Sequence, residues 1–312
     1  MPLFSVIIPC FNAADTLAQT LSSLLNQSFT DYEAIILDDG STDETLEIAR
    51  AFADRYPNFR VVELENGGPS NARNLGGFVY ATGSLLAFLD ADDIWRSDKL
   101  LRMAEIFCKP DAPQAVYAQI GFFRQDHTNI RTSSTVLPRP LKARDLLREN
   151  NVCTMSNIVV RADAFKATGG FDSGLRYGED VEWMVRLLAV GATIQGIDEM
   201  LVYYRTSDAG LSANLDAMHA GWCRTLESVK VLEPAVCARE IAIAEAIHLR
   251  YLARRALRVR SSRYDPLRLV MSALSKSPRG FFSEPRRGWL TLAAACADTV
   301  MPSAIRKFAA QY

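Results

Sequence analysis

Much is missing from this 312-residue sequence, and each absence excludes something. Its six cysteines (Cys10, Cys108, Cys153, Cys223, Cys237 and Cys296) form no CxxC pair and no Cys/His arrangement with the three histidines. That argues against a structural zinc site. A chain of this length needs no disulfide staples, so reduced thiols in a cytoplasmic protein are expected. No charged n-region precedes the first apolar run, so a secretory signal is not expected. No uninterrupted apolar stretch reaches the ~20 residues of a membrane span. The nearest, residues 289–305, is broken by Asp298 and Pro302. The first strand-like run holds no glycine, which removes the GxGxxG dinucleotide fingerprint, and no GxxxxGKS or GxxxxGKT phosphate loop occurs. Basic residues are not interleaved with aromatics, so no nucleic-acid partner is expected.

Net charge is also scarce, at −1, but the mean hides an asymmetry. Residues 216–312 carry 16 Lys and Arg against 8 Asp and Glu, whereas residues 1–215 carry 19 against 28. An acidic first part and a basic tail predict two units with different partners, 1–215 and 216–312.

What is present begins with alternation. Apolar runs at 4–9, 33–38, 59–64 and 85–89 read as strands, and segments of helical spacing separate them. Asn12 is placed to cap the first helix, STDE at 41–44 fits a capping box for the second, and Ser70 is placed to cap a third over 71–81. Four strand–helix repeats predict an α/β fold, a mostly parallel sheet flanked by helices. Beyond Trp95 the pattern loosens: 98–109 reads as helix, 115–123 and 155–161 as strands of mixed or antiparallel pairing. From about Asp216 the chain reads as helical.

Ligands of open α/β sheets sit at the carboxyl ends of the strands. There the sequence places Pro9-Cys10-Phe11-Asn12, Asp38-Asp39-Gly40, Asn66-Gly67-Gly68 and Asp90-Ala91-Asp92-Asp93. Three carboxylates in four positions are costly at the end of a buried strand unless a cation offsets them. A divalent metal carrying phosphate would do so, and so would a solvated loop in which Asp93 or Ser97 caps the next helix. Arg73, near a helix start, is a candidate for a diphosphate or a surface arginine. Glu179 and Asp180 open another helix. Acids there stabilise the helix start, and the same dipole would keep a general base ionised. In the tail, Leu249, Leu252, Ala256 and Val259 line one side of a helix, and Arg250, Arg254 and Arg258 recur every four residues. This stripe is either a solvated face or a peripheral contact with a membrane surface.

The segments IIPCFNAADTLAQTLSSLLNQSFTDYEAIILDDGSTDET, GGPSNARNLG, LDADD, GGFD and GEDVEW, in this order, resemble family 2 glycosyltransferases of the GT-A fold over about residues 3–206. The resemblance implies transfer of a sugar, with inversion, from a nucleoside diphosphate donor, with uridine the expected base. The acceptor would be a hydroxyl of a polysaccharide or lipid-linked glycan. It implies Mn²⁺ or Mg²⁺ as cofactor. Asp39 then matches the carboxylate that binds the donor base, with Pro9, Phe11, Asn12 and Gly67 beside the nucleotide. Arg73 matches a diphosphate-side residue, Asp90 and Asp92 form the D-x-D motif, and Asp92 with Asp93 lie nearest the metal. Asp180 matches the catalytic base, preceded by Glu179. Trp183, on the same helix face, is an acceptor contact or core packing. One departure stands out: many relatives carry a histidine where YYRTSDAG has Ser207, and Asp208 is its neighbour. A nucleotide-sugar-binding protein of the same fold without catalysis is the alternative; it would be expected to have lost Asp180 or the aspartate cluster, and both are present.

Overall fold

A computed structural model describes residues 1–130, 132–175, 177–206, 215–233, 236–259 and 265–300; Ser207 and Asp208 lie outside the described residues. The chain divides into two compact units: Met1–Lys142 with Asn150–Ser207, and Ala143–Glu149 with Asp208–Tyr312.

The first unit opens with the predicted alternation: β1 (Phe4–Cys10), α1 (Ala14–Leu25), β2 (Tyr32–Asp38), α2 (Thr45–Arg55), β3 (Phe59–Glu63), α3 (Pro69–Leu75) and β4 (Leu85–Phe88). β1 is buried along its whole length and pairs in parallel with β2 on one side and β4 on the other, while β3 adds in parallel to β2. Strands covered on both faces are apolar throughout, which is why these runs show no polar alternation. Being parallel, they deliver their polar ends to one edge.

Then come β5 (Ile94–Trp95), α4 (Lys99–Phe107), β6 (Ala115–Phe123), β7 (Thr132–Ser133), α5 (Ala143–Arg148, in the second unit), β8 (Val159–Arg161), α6 (Ala162–Ala167), α7 (Glu179–Ala189) and β9 (Ile194–Arg205). β8 is antiparallel to β4 and β6, β6 runs parallel to β9, and β5 is antiparallel to β9. The sheet order is β3-β2-β1-β4-β8-β6-β9-β5, with β7 on β6. A parallel half thus continues into a mixed half, as the loosened pattern after Trp95 predicts.

Local capping differs from expectation. Asn12 does not cap α1: it sits at φ 48°, and its Oδ1 accepts the Thr42 N–H at 2.8 Å. Nor does the capping box at 41–44 form. Instead Asp43 accepts the Ala14 N–H and the Thr45 N–H, both at 3.1 Å. One carboxylate therefore serves the first turns of α1 and α2, both positive dipole ends. Gly68, at φ 84°, precedes α3, so Ser70 lies inside the helix rather than at its cap. The predicted continuation to residue 81 is a π-helical turn over Gly76–Tyr80. A Cβ on Gly76 would lie 2.5 Å from Ile7 Cγ2, so this turn approaches β1 as only glycine allows.

Helices α8 (Leu215–Leu232), α9 (Ala238–Val259), α10 (Pro266–Lys276), α11 (Pro278–Phe281) and α12 (Pro285–Val300) build the second unit with α5. Ala246, Ala253, Val270, Ala273 and Ala295 pack around the fully buried Phe281 to form a core there. The arginine stripe on α9 is not a uniform outer face. The Arg250 side chain is 5% exposed, and its guanidinium donates to Phe281 O and Glu284 Oε1, each at 2.7 Å. Arg254 is half-buried and only Arg258 is exposed. Arg250 therefore cannot contact a membrane; it satisfies the carboxyl end of α11. His219 and His248 are stacked, with His219 Nδ1 3.1 Å from His248 Nε2 and Trp222 lying flat on His248. Burial, then the neighbouring His219, pushes the His248 pKa down to about 3, so the ring is neutral.

Trp183 is fully buried, which removes it as an acceptor contact. Its ring packs against Phe171 at 4.9 Å, Phe165 at 5.8 Å and Phe88 at 6.2 Å, and its Nε1–H donates to Thr168 Oγ1 at 3.0 Å. Trp183→Ala is expected to lower unfolding free energy by about 3–5 kcal/mol, as large-to-small changes in packed cores do. Urea titration checks this; a loss under about 1 kcal/mol would contradict the packing role.

Candidate active site

At the carboxyl edge of β2, the buried Asp39 carboxylate accepts the Gly67 and Gly68 N–H groups, each at 2.8 Å, and Asn66 Nδ2 donates to Asp39 O at 3.0 Å. Asp39 thereby ties the loop after β3 to the end of β2, and Gly67 enters as a backbone donor. Each carboxylate oxygen keeps a second lone pair. Pro9 is buried within β1, whereas the Phe11 ring is 50% exposed beside Asn12, free to meet a planar group.

The structure brings Arg73, Asp90 and Glu179 together. Arg73 is buried, with Nη2 2.6 Å from Asp90 Oδ1, Nη1 3.2 Å from Glu179 Oε1, and its guanidinium over the Phe171 ring at 5.7 Å. Its Nε has no partner among the described residues. In this arrangement Arg73 is a strut between the acid cluster and the start of α7, not an open diphosphate ligand.

The three acids after β4 have three different environments. Asp90 accepts from Thr154 Oγ1 at 2.9 Å, and its N–H donates to Ser156 Oγ at 2.9 Å. Asp93 has no exposed surface: Oδ2 accepts from Ser156 Oγ at 2.5 Å and Thr154 Oγ1 at 3.2 Å, and Oδ1 from the Arg205 N–H at 3.1 Å. Burial, then Asp92 and Asp90, holds its pKa well above the usual carboxylate range. Asp93, expected beside the metal, is enclosed in this structure, and both of its oxygens accept hydrogen bonds from the fold. Asp92 alone is exposed, although protein crowds it, and burial followed by the Asp90 charge pushes its pKa up to about 6.

Among the described residues, no group of three or more His, Cys, Asp or Glu side chains forms a ligand set. A divalent ion of the Mg²⁺ type needs no such cage, since it takes one or two carboxylates and completes its shell with water and substrate phosphates. Asp92, exposed and strained by like charge, fits that mode.

Asp180 and Glu179 stand at the start of α7 after Gly178, which is left-handed at φ 75°. The expectation that the helix dipole lowers their pKa is overturned, because desolvation is the larger effect. Burial raises the Asp180 pKa, against the Val181 N–H, the Arg73 charge and the Asn150 amide, whose Nδ2 donates to Asp180 Oδ2 at 2.6 Å. Burial and then Asp180 push Glu179 up to about 7, against Arg73.

Several of these partners carry no signal in the sequence. Asn150, Thr154 and Ser156 lie on one loop, where Cys153 adopts φ 68°, and this loop holds both the base candidate and the aspartate cluster. Lys99 lies beneath it, fully buried, donating to Asn157 O at 3.2 Å over the Trp95 ring, with burial lowering its pKa to about 7.

A parallel α/β half-sheet with acids at its carboxyl edge, facing a carboxylate at a helix start, is the arrangement of a GT-A transferase. Residues 5–169 match the family described as Glycosyl transferase family 2. TuaG of Bacillus subtilis (strain 168), a glycosyltransferase whose name assigns it provisionally to teichuronic acid biosynthesis, is 32% identical over 215 residues, 68% of this chain and 82% of TuaG. A PGL/p-HBAD biosynthesis glycosyltransferase of Mycobacterium bovis is 31% identical over 214 residues, 68% of this chain and 79% of that protein. Among solved structures, S. aureus TarS 1-349 in complex with UDP-GlcNAc superposes with a TM-score of 0.65 at 19% identity, over 94% of this chain and 87% of that one. The mannosyltransferase PcManGT from Pyrobaculum calidifontis, in complex with GDP-Man and Mn²⁺, gives 0.53 at 17% identity, over 99% and 79%. These two show likeness of fold alone. The chain belongs to glycosyl transferase family 2.

The environments of Asp92 and Asp93 separate two substitutions. Asp92→Asn is expected to abolish any Mn²⁺-dependent rise in melting temperature across a panel of nucleotide sugars and to leave the melting temperature without ligand unchanged or raised. Asp93→Asn is expected to lower the ligand-free melting temperature, since the amide brings two donors to a site built of donors. Thermal shift with and without Mn²⁺ checks both, and the opposite assignment of effects would reverse the two roles.

Proposed function

We propose that this glycosyltransferase moves a sugar from a nucleoside diphosphate donor, UDP-linked, to an acceptor hydroxyl with inversion. The observation that carries this reading is the buried ion-pair strut Glu179–Arg73–Asp90, which fixes the start of α7, where Asp180 stands next to Glu179, against the acids after β4. Asp180 accepts the proton of the attacking hydroxyl as that oxygen bonds to the anomeric carbon, and the nucleoside diphosphate departs from the opposite face. A single displacement inverts the centre, and no protein nucleophile is required. Phe11 offers its exposed ring to the base, and the Asp39–Gly67–Gly68 turn shapes the pocket edge beside it. Asp92 would hold Mn²⁺ or Mg²⁺, which when bound supplies Lewis-acid stabilisation of the leaving diphosphate. Arg73 stabilises the ionised forms of Asp180 and Glu179, offsetting part of their burial. The acceptor is a polysaccharide or lipid-linked glycan, a reading supported by a relative named for teichuronic acid biosynthesis.

Asp180→Asn is expected to reduce turnover by about 10²–10⁴-fold, the usual contribution of a general base. Donor binding should stay intact by thermal shift. Turnover within a few-fold of wild type would remove Asp180 from the mechanism. Donor binding with no turnover in the wild type, across acceptors and metals, would favour a binding protein.

A base works only when ionised, so kcat/KM should rise with pH through the Asp180 pKa, at a limb above the ordinary aspartate range. Asn150→Ala removes a hydrogen bond to the charged form, which raises that pKa further. The limb should move to higher pH, and the loss of rate should be larger at acid than at alkaline pH. A uniform loss at every pH would show Asn150 to act only through the fold.

A further inference from the structure

Helix α12 packs Gly288, Thr291 and Ala295 inward. It leaves Trp289 62% and Leu290 71% exposed, with Ala293, Ala294 and Cys296 exposed after them. No charged residue occurs from 288 to 297, so this outer surface is apolar over more than two turns. Its charge is concentrated at the N-terminal end. Arg286 precedes Trp289 by three, Leu290 by four and Ala293 by seven residues, the spacing that puts all four on one helix face. Arg286 is exposed and makes no ion pair with any described residue. Trp289 is not loose, since its ring centroid lies 4.8 Å from that of Phe282. A buttressed, exposed indole beside an exposed leucine is costly in water and marks an interaction surface.

The occupant follows from charge and length. Among the described residues no helix is long and apolar enough to cross a membrane. An apolar face with a cationic edge suits a helix lying in the plane of a lipid interface, with tryptophan at headgroup depth. Two copies paired through this face would bury Trp289 and Leu290 as well, and the oligomeric state distinguishes that arrangement from lipid docking. The surrounding segment is basic as well, with 16 Lys and Arg against 8 Asp and Glu over residues 216–312.

We propose that the face Arg286–Trp289–Leu290–Ala293 of α12 docks on an anionic lipid surface, Trp289 and Leu290 entering the headgroup–acyl boundary and Arg286 meeting lipid phosphate. This replaces the α9 arginine stripe, of which Arg250 is buried, as the surface that meets lipid. The full chain is sedimented with vesicles of phosphatidylcholine alone and of phosphatidylcholine with phosphatidylglycerol. Binding is expected to the anionic vesicles. Of the four tryptophans, Trp95 and Trp183 are buried and Trp222 is half-buried, so a blue shift of emission and quenching by brominated acyl chains report on Trp289. The double variant Trp289→Ser, Leu290→Ser should lose about tenfold or more in vesicle affinity while remaining folded, its melting temperature lowered only by the lost Phe282 contact. Arg286→Glu should lose about fivefold or more, on anionic vesicles only. No sedimentation of the wild type with either vesicle, or equal binding by the double variant, would overturn the proposal. So would a wild-type dimer that the double variant dissociates while neither form binds lipid.

Discussion

The buried guanidinium of Arg73 is the constraint on which the catalytic end depends. It lies between Asp90, delivered by β4, and Glu179, at the start of α7, and rests on the Phe171 ring. The two carboxylates are 89 positions apart in sequence and would repel each other at this range without it. Buried ion pairs of this kind seldom raise stability much, because desolvation consumes the Coulombic gain. What Arg73 contributes is position: the start of α7, with Asp180 beside Glu179, is held at a fixed distance from the acids that follow β4. Phe171 belongs to the ring cluster of Phe88, Phe165 and Trp183, so the strut stands on the tightest aromatic packing of the unit.

Around this strut the acids are graded by environment. Asp93 is enclosed by hydroxyl donors, Asp90 is shared between an arginine and a threonine, and Asp92 is the most exposed of the three. Three similar letters thus occupy three environments: one enclosed in the fold, one paired to a cation of the protein, and one open to solvent. The same logic distinguishes Glu179 from Asp180. The first is paired to Arg73 and the second to an amide, so their burial is offset by different means.

Much of this arrangement was legible in the chain. Strands covered on both faces must be continuous apolar runs, and each such run ends at a polar cluster, so the parallel half of the sheet and its acidic edge could be read directly. The partners of those acids could not. Thr154 and Ser156 reach Asp90 and Asp93 across 61 to 66 positions, and Asn150 reaches Asp180 across 30, and such contacts leave no periodicity. The direction of the Asp180 shift is not legible in the chain, because a helix start is visible in sequence whereas depth of burial is not. Trp183 and Arg250 fail for a related reason: helical spacing tells which residues share a face, but not what lies against it.

The route of the chain between 142 and 150 bears on how the protein can be dissected. Helix α5 belongs to the second unit, where Leu146 and Leu147 are buried and Arg144 pairs with Glu240, and a single residue separates it from Asn150 of the first. A fragment cut near residue 207 would keep α5 but lose α8 to α12, stripping the cover from those leucines just before Asn150, the residue that donates to Asp180. The second unit is therefore not a detachable appendage, and a shortened enzyme would need α5 redesigned before it could be expected to fold.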